Sequence, residues 1–305
     1  MRITFLGGAK EVGRSAILLE GEKRILLDYG IKLDHKTEYP LPLKTKLDGY
    51  VLSHAHLDHS GFAPSLYSGN YVNAYGTPPT IELTKLLVED ALKISRRNRQ
   101  KPHFSKGDLR RFERAYKPLE YYSEFDIGNY TISLHDAGHI TGSAITLIEN
   151  RHTDKRLVYT GDFKLEPQTL QKGAEVVKSN VLIIESTYAD REHPDRAALI
   201  KSFIEEIKSI LDNNGTALVP VFAVGRAQEI LTILYQHNLI DYAVIDGMAK
   251  HASEIVMRYP NYSVNESLLL GAMKNVTWIG TERSRKSVTS PAIVVTTAGM
   301  LNGGP

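Results

Sequence analysis

Short apolar runs separated by turn residues fill the first two-thirds of the chain, and apolar positions at helical spacing fill the last third. Residues 2–6, 15–20 and 24–28 read as an antiparallel meander broken at Gly7-Gly8 and at Gly21-Glu22-Lys23. Tyr50-Val51-Leu52 reads as a buried strand, and 71–75, 130–134, 143–149, 156–160 and 181–184 read as further strands. A helix is expected over 77–95, with Thr77 as its cap, Pro78-Pro79 in its first turn, and Ile81, Leu83, Leu86, Leu87, Ala91 and Ile94 on one face. Beyond Tyr188 come helix 195–213, strand 216–219, helix 225–237, strand 242–246, helix 249–258 and strand 292–296. That alternation implies a small, mostly parallel, doubly wound sheet, so the fold class is α/β. The 305 residues suit two domains, divided near residue 190, although one large α/β unit is also allowed.

The strand ends carry the chemistry. Directly after Tyr50-Val51-Leu52 comes Ser53-His54-Ala55-His56-Leu57-Asp58-His59, three imidazoles and a carboxylate in six positions. Such groups need partners when they leave water, and a divalent metal partners all four. His139 lies between Gly138 and Gly142 after the strand at 130–134, Asp162 closes 156–160, and Glu185 closes 181–184. Asp28 closes the third strand. Taken alone it is a turn residue; its functional reading is a carboxylate that orients a metal-bound histidine from behind.

Composition narrows the metal chemistry and little else. There is no cysteine, so disulfides and thiolate zinc sites are excluded and His, Asp and Glu are the ligands available. A net charge of +2 gives the molecule as a whole no strong pull on polyanions. Cations nevertheless crowd one segment, from Lys93 through Arg96, Arg97, Arg99, Lys101, Lys106, Arg110, Arg111 and Arg114 to Lys117. This run reads as a solvated face or as a rim that contacts nucleic-acid phosphates. The stretch Val221-Phe222-Ala223-Val224-Gly225-Arg226-Ala227-Gln228 reads as close helix packing or as a helix start that receives a phosphate. No window suits a signal peptide or a membrane span, so a cytoplasmic protein with no membrane partner is expected.

In order along the chain, Asp28, His54-x-His56-x-Asp58-His59, His139 and Asp162 resemble the metal-site motifs of the metallo-β-lactamase fold. Glu185-Ser186-Thr187-Tyr188, Pro220 to Glu229, Asp246-Gly247-Met248-Ala249-Lys250 and Ala298 to Pro305 resemble its β-CASP branch, which processes nucleic acids. Gly7 to Arg14 suits the archaeal cleavage and polyadenylation specificity factor-like ribonucleases, with RNase J a close relative. The resemblance implies an αββα sandwich over residues 1–190 and a β-CASP domain over 191–305. It also implies two zinc ions: His54, His56 and His139 on one, Asp58 and His59 on the other, Asp162 bridging, and Asp28 supporting the site. In the family the chain continues past this point, returns to the first domain and supplies two further histidines, one a zinc ligand and one a proton donor paired with the acid at Glu185. The C-terminal part of the first domain is therefore expected to lie outside these 305 residues.

The function implied is zinc-dependent hydrolysis of phosphodiester bonds in single-stranded RNA, by endonuclease or 5′–3′ exonuclease action, in a protein that the family suggests is a homodimer. Asp58 would orient the attacking water and Glu185 would position the proton donor, while Asp28 supports the catalytic centre. Two alternatives stand beside this: a non-catalytic RNA-binding or scaffold subunit, and a metallo-hydrolase of small carbonyl substrates.

Overall fold

The computed structural model describes residues 1–33 and 36–297, so the motif from Ala298 to Pro305 lies outside the described residues. The chain divides into two compact units, one of residues 1–166 and 173–187, the other of 167–172 and 188–305.

In the first unit, β1 (Arg2–Gly7), β2 (Ala16–Glu20), β3 (Arg24–Leu27), β4 (Gly49–Val51), β5 (Ala74–Gly76) and β6 (Tyr116–Pro118) form one sheet in chain order. The meander β1-β2-β3 is antiparallel, and β3 through β6 run parallel. A second sheet has the order β11 (Val181–Ile183), β10 (Lys155–Tyr159), β9 (Ala144–Asn150), β8 (Tyr130–Asp136), β7 (Glu124–Ile127). It is antiparallel except for the parallel pair β10 and β11.

Side chains of alternate residues leave a strand on opposite faces, and here both faces are buried. Ile17, Leu19, Ile25, Leu27 and Val51 meet Ile132, Leu134, Ile148 and Leu157 between the sheets. The intervening Leu18, Leu26, Tyr50 and Leu52 pack on the other side, against helix residues Val88, Leu92, Leu109 and Phe112. Each fully buried Leu or Ile contributes ~1.5–3 kcal/mol relative to exposure. Those helix residues belong to α2 (Pro78–Arg97) and α3 (Lys106–Ala115), which follow the one-turn α1 (Leu57–Ser60). The outer face of the second sheet, at Ile145, Leu147 and Val158, is covered by Phe163, Ala174 and Val177 of the loop after β10. Among the described residues of this unit the layers are thus helices, sheet, sheet and loop.

The α3 helix is missing from the sequence reading. Its apolar positions Leu109, Phe112 and Ala115 are diluted by four cations, and its start is set by a reciprocal cap between Ser105 and Asp108. Thr77 stands at the cap position of α2 without capping it. Its hydroxyl donates instead to the Gly142 carbonyl at 2.6 Å, which ties the start of α2 to the loop that carries His139.

The second unit holds the parallel sheet β12 (Thr216–Pro220), β13 (Ala243–Ile245), β14 (Thr277–Trp278) and β15 (Ala292–Thr296), in spatial order β12-β15-β13-β14. Its helices are α4 (Arg196–Asp212), α5 (Arg226–Gln236), α6 (Met248–Val256), α7 (Glu266–Asn275) and α8 (Glu282–Lys286). Residues 167–172 join this unit because buried Glu229 accepts the backbone N–H groups of Thr169 (2.6 Å) and Leu170 (3.1 Å) and pairs with Arg196. No described helix is long and apolar enough to cross a membrane.

The stretch around Gly225 has the close packing of the first of its two readings. The Gly225 N–H donates to Gln228 Oε1 at 2.8 Å, and Gln228 Nε2 donates to the Ala223 carbonyl (3.0 Å) and to Ser253 Oγ (2.7 Å). Gln228 is buried, and its side-chain amide and the Gly225 N–H are consumed within the protein. Gln228→Ala should therefore lower the stability of this unit by ~1–3 kcal/mol, because it strands buried partners. Arg226→Ala, at an exposed position, should stay within ~0.5 kcal/mol of the parent. Urea denaturation of the two variants checks this, and equal midpoints would refute the latch.

Candidate metal centre

The site lies where the carboxyl ends of β3 and β4 meet those of β8, β10 and β11. The chain leaves β3 into Asp28, whose φ of 56° is in the left-handed region that aspartate tolerates. Asp28 is fully buried and accepts four hydrogen bonds. Oδ1 takes the Ser53 N–H at 2.7 Å; Oδ2 takes Ser53 Oγ (2.7 Å), His59 Nδ1 (2.7 Å) and the Tyr159 hydroxyl (2.6 Å). A carboxylate that only accepts makes each of these partners a donor.

Two ring orientations follow. His59 donates through Nδ1, so its Nε2 faces Asp162 Oδ1 at 3.1 Å and Asp58 Oδ2 at 3.7 Å. The Ser53 hydroxyl hydrogen is committed to Asp28, so its oxygen accepts from His54 Nδ1 at 3.0 Å. His54 Nε2 then carries a lone pair, and it is buried with no hydrogen-bond partner.

Backbone contacts hold these groups at short range. The N–H groups of Tyr29 and Ile31 donate to the carbonyls of His59 (2.7 Å) and Leu57 (2.9 Å). Gly30 must be glycine, because a Cβ there would lie 1.7 Å from the Asp58 carbonyl oxygen. Gly161, at a φ of +55°, lets the Asp162 loop approach Ser53, where a Cβ would stand 2.7 Å from the serine Cβ. His139 is held by Ser143, whose Oγ accepts from the N–H groups of His139 (3.1 Å) and Ile140 (3.2 Å).

The result is two groups of candidate ligands that share one residue. His54, His56, His139 and Asp162 offer ligand atoms within 4.8 Å of one another, as do Asp58, His59 and Asp162. His139 Nε2 is 3.2 Å from His56 Nδ1. Asp162 directs Oδ2 at 3.8 Å to both His54 Nε2 and His139 Nε2, and Oδ1 to His59. Glu185 does not join either group. It lines a cavity of about 470 Å³ together with Asp58, His59, Asp162 and the turn from Gly7 to Ser15, and its Oε2 accepts the Thr187 N–H at 2.8 Å.

Sequence reasoning missed Ser53 and Tyr159, which orient the ligands, and the part that the 7–15 turn plays in the cavity wall. Ser53 directly precedes His54 and Tyr159 closes β10 just before Gly161-Asp162, but nothing in their spacing marks either as a partner of Asp28.

The charges separate the two groups. Burial pushes His54 well down, with His59 nearby adding to the effect, so its imidazole is neutral. Burial opposes charge on His59 too, but Asp162, Asp58 and Asp28 together lift it well above the ordinary histidine value. Burial also works against a charged Asp162, and His59, His54 and His139 outweigh it, holding that carboxyl far below the usual range.

Comparison with known proteins places the chain. It is 42% identical to the "Probable RNase MJ4" of Methanocaldococcus jannaschii over 318 aligned residues, spanning 100% of this chain and 74% of that protein. The chain belongs to the family of archaeal cleavage and polyadenylation specificity factor-like ribonucleases. It is also 34% identical to "RNase aCSPSF2" of Saccharolobus solfataricus, over 62% of that protein, and to "Transcription termination factor FttA" of M. jannaschii, over 52%. It thus spans between half and three-quarters of these members. Residues 1–208 match the family model described as "Anti-Pycsar protein Apyc1", so this portion of the chain belongs to that family as well. A solved structure, a protein of unknown function from Enterococcus faecalis V583, shares the overall fold at a TM-score of 0.59 and 14% identity, over 98% of this chain and 77% of that one.

The opposite shifts predict distinct protonation in the metal-free family member at neutral pH. Nitrogen NMR of the ring resonances should show His59 as an imidazolium and His54 as a neutral ring protonated at Nδ1. A neutral His59 or a protonated His54 would contradict the assignment.

Proposed function

We propose that the chain is the catalytic portion of a zinc-dependent ribonuclease, with residues 1–190 as a metallo-β-lactamase domain and the following residues as a β-CASP domain. The observation that carries the reading is Asp162, whose two carboxylate oxygens face two different histidine groups. A bridging carboxylate in a binuclear centre has this arrangement, and the names of the relatives supply RNA as the substrate.

The residues fit the metals. His54 Nε2 is buried, unprotonated and unpartnered, a costly state that a cation relieves. Imidazole and carboxylate donors without sulfur suit zinc. His54, His56 and His139 would hold one ion, Asp58 and His59 the other, and Asp162 both. When bound, the metal pair supplies Lewis acidity, which makes water a nucleophile near neutral pH and offsets charge on the phosphoryl oxygens.

The chain's own residues supply orientation and proton handling. Asp28 fixes the His59 ring directly and the His54 ring through Ser53, so neither can rotate its ligand nitrogen away. Asp58, in the cavity wall beside His59, accepts a proton from the attacking water and aligns it. Glu185 lines the same cavity and would position the proton donor for the leaving oxygen, the histidine that the family supplies beyond this stretch. Single-stranded RNA is the substrate form this cavity would take.

The purified full-length protein should hold two zinc ions per chain. Asp162→Ala should lower that number and reduce RNA cleavage to background, and His56→Ala should do the same at one ion. Elemental analysis with a gel-based cleavage assay checks both; full cleavage by either variant, or less than one zinc in the parent, would refute the reading.

A further inference from the structure

The chain's charge is segregated. Residues 91–118 contain ten lysines and arginines against two acids, a surplus of eight; since the whole chain carries +2, the remainder has a deficit of six. All ten cations are exposed. Of the two acids, Asp108 caps α3 and pairs with Arg111, and Glu113 pairs with Lys85 at 2.7 Å. Lys93, Arg96, Arg97, Arg99, Lys101, Lys106, Arg110, Arg114 and Lys117 have no acidic partner among the described residues.

The fold gathers these charges. Lys85 in the middle of α2 reaches Glu113 near the end of α3, and the two helices share one apolar cluster. The segment 98–105, with Arg99 and Lys101, joins the C-terminal end of α2, with Lys93, Arg96 and Arg97, directly to the start of α3 at Lys106. On α3, Lys106, Arg110 and Arg114 recur every four residues and so form a row. The buried faces of both helices, at Val88, Leu92, Leu109 and Phe112, are fixed on the first sheet, which leaves the cations on the solvent side.

Helix electrostatics does not account for the pattern. Cations at the end of α2 suit the negative pole of that helix, but Lys106 and Arg110 lie in the first half of α3, at its positive pole, and neighbours at a spacing of four repel each other. A surface needing only solubility would interleave acids, as the rest of the chain does.

We propose that the α2–α3 face is a second RNA-binding surface, separate from the metal centre, that grips the phosphate backbone of the substrate strand away from the cleaved bond. The inference rests on the reading that the chain acts on RNA. None of these cations lines the cavity at the metal centre, so the face adds affinity for long strands and no chemistry.

The test uses the full-length protein with Arg96→Gln, Arg97→Gln, Arg110→Gln and Arg114→Gln combined, and a matching set of Arg→Lys changes. Affinity for a long single-stranded RNA is measured across a salt series, beside cleavage of an oligonucleotide only a few bases long. The glutamine set should bind the long strand roughly tenfold or more weakly, with a log–log salt slope shallower by up to about 3, and the lysine set should match the parent. Cleavage of the short oligonucleotide and zinc content should not change. Unchanged long-strand affinity and slope in the glutamine set would overturn the proposal, as would a parent that binds anionic vesicles but no long RNA. A parent that binds long RNA but cleaves no RNA would overturn the catalytic reading, while the comparison of salt slopes still decides the role of the face.

Discussion

One buried carboxylate organises the candidate metal centre. Asp28 takes hydrogen bonds from Ser53, His59 and Tyr159, and these come from both sheets of the first unit: Ser53 and His59 after β4, Tyr159 at the end of β10. Its acceptor-only chemistry sets the direction of each bond. The consequence reaches the candidate ligands, since the outward nitrogens of His59 and His54 are the ones left over once their inner nitrogens have donated. A buried acid with four donors is satisfied at its own position, and it leaves the polar deficit at His54 Nε2, where a metal would make it good.

That arrangement depends on backbones coming closer than most side chains allow. Gly30 lies against the Asp58 carbonyl and Gly161 against Ser53, so the loops after β3, β4 and β10 pack in direct contact. The apolar layers make the contact rigid: Leu27 and Val51 between the sheets and Leu26 and Leu52 beneath the helices lead straight into the loops that carry Asp28 and His54. Electrostatics then distinguishes the two ligand groups, with three histidines around one face of Asp162 and a third carboxylate, Asp58, beside His59.

Much of this was legible in the sequence, for identifiable reasons. Strands buried on both faces read as unbroken apolar runs, so β2 to β4 and β8 to β10 were placed within a residue or two. The ligand types stood out because His, Asp and Glu followed those runs. Three features were not legible. The helix α3 was hidden because its cations outnumber its apolar residues. The short α7, β14 and α8 fell in a stretch where Gly271 and Gly280 interrupt the pattern. The transfer of residues 167–172 to the second unit depends on Glu229, sixty residues away from Thr169, accepting their N–H groups, and no local pattern encodes such a contact. Likewise the sharing of Asp162 between two groups is a tertiary fact, implied only by resemblance until the geometry is seen.

The claim that Asp28 holds the metal ligands is open to a single measurement. Asparagine tolerates the same left-handed backbone, so Asp28→Asn keeps the turn while replacing one acceptor oxygen with a donor N–H that faces His59 or Ser53. In the full-length protein, zinc affinity measured by competition with a chromophoric chelator should fall about 10- to 100-fold with the fold retained. Parent-like affinity in a folded Asp28→Asn protein would contradict the account.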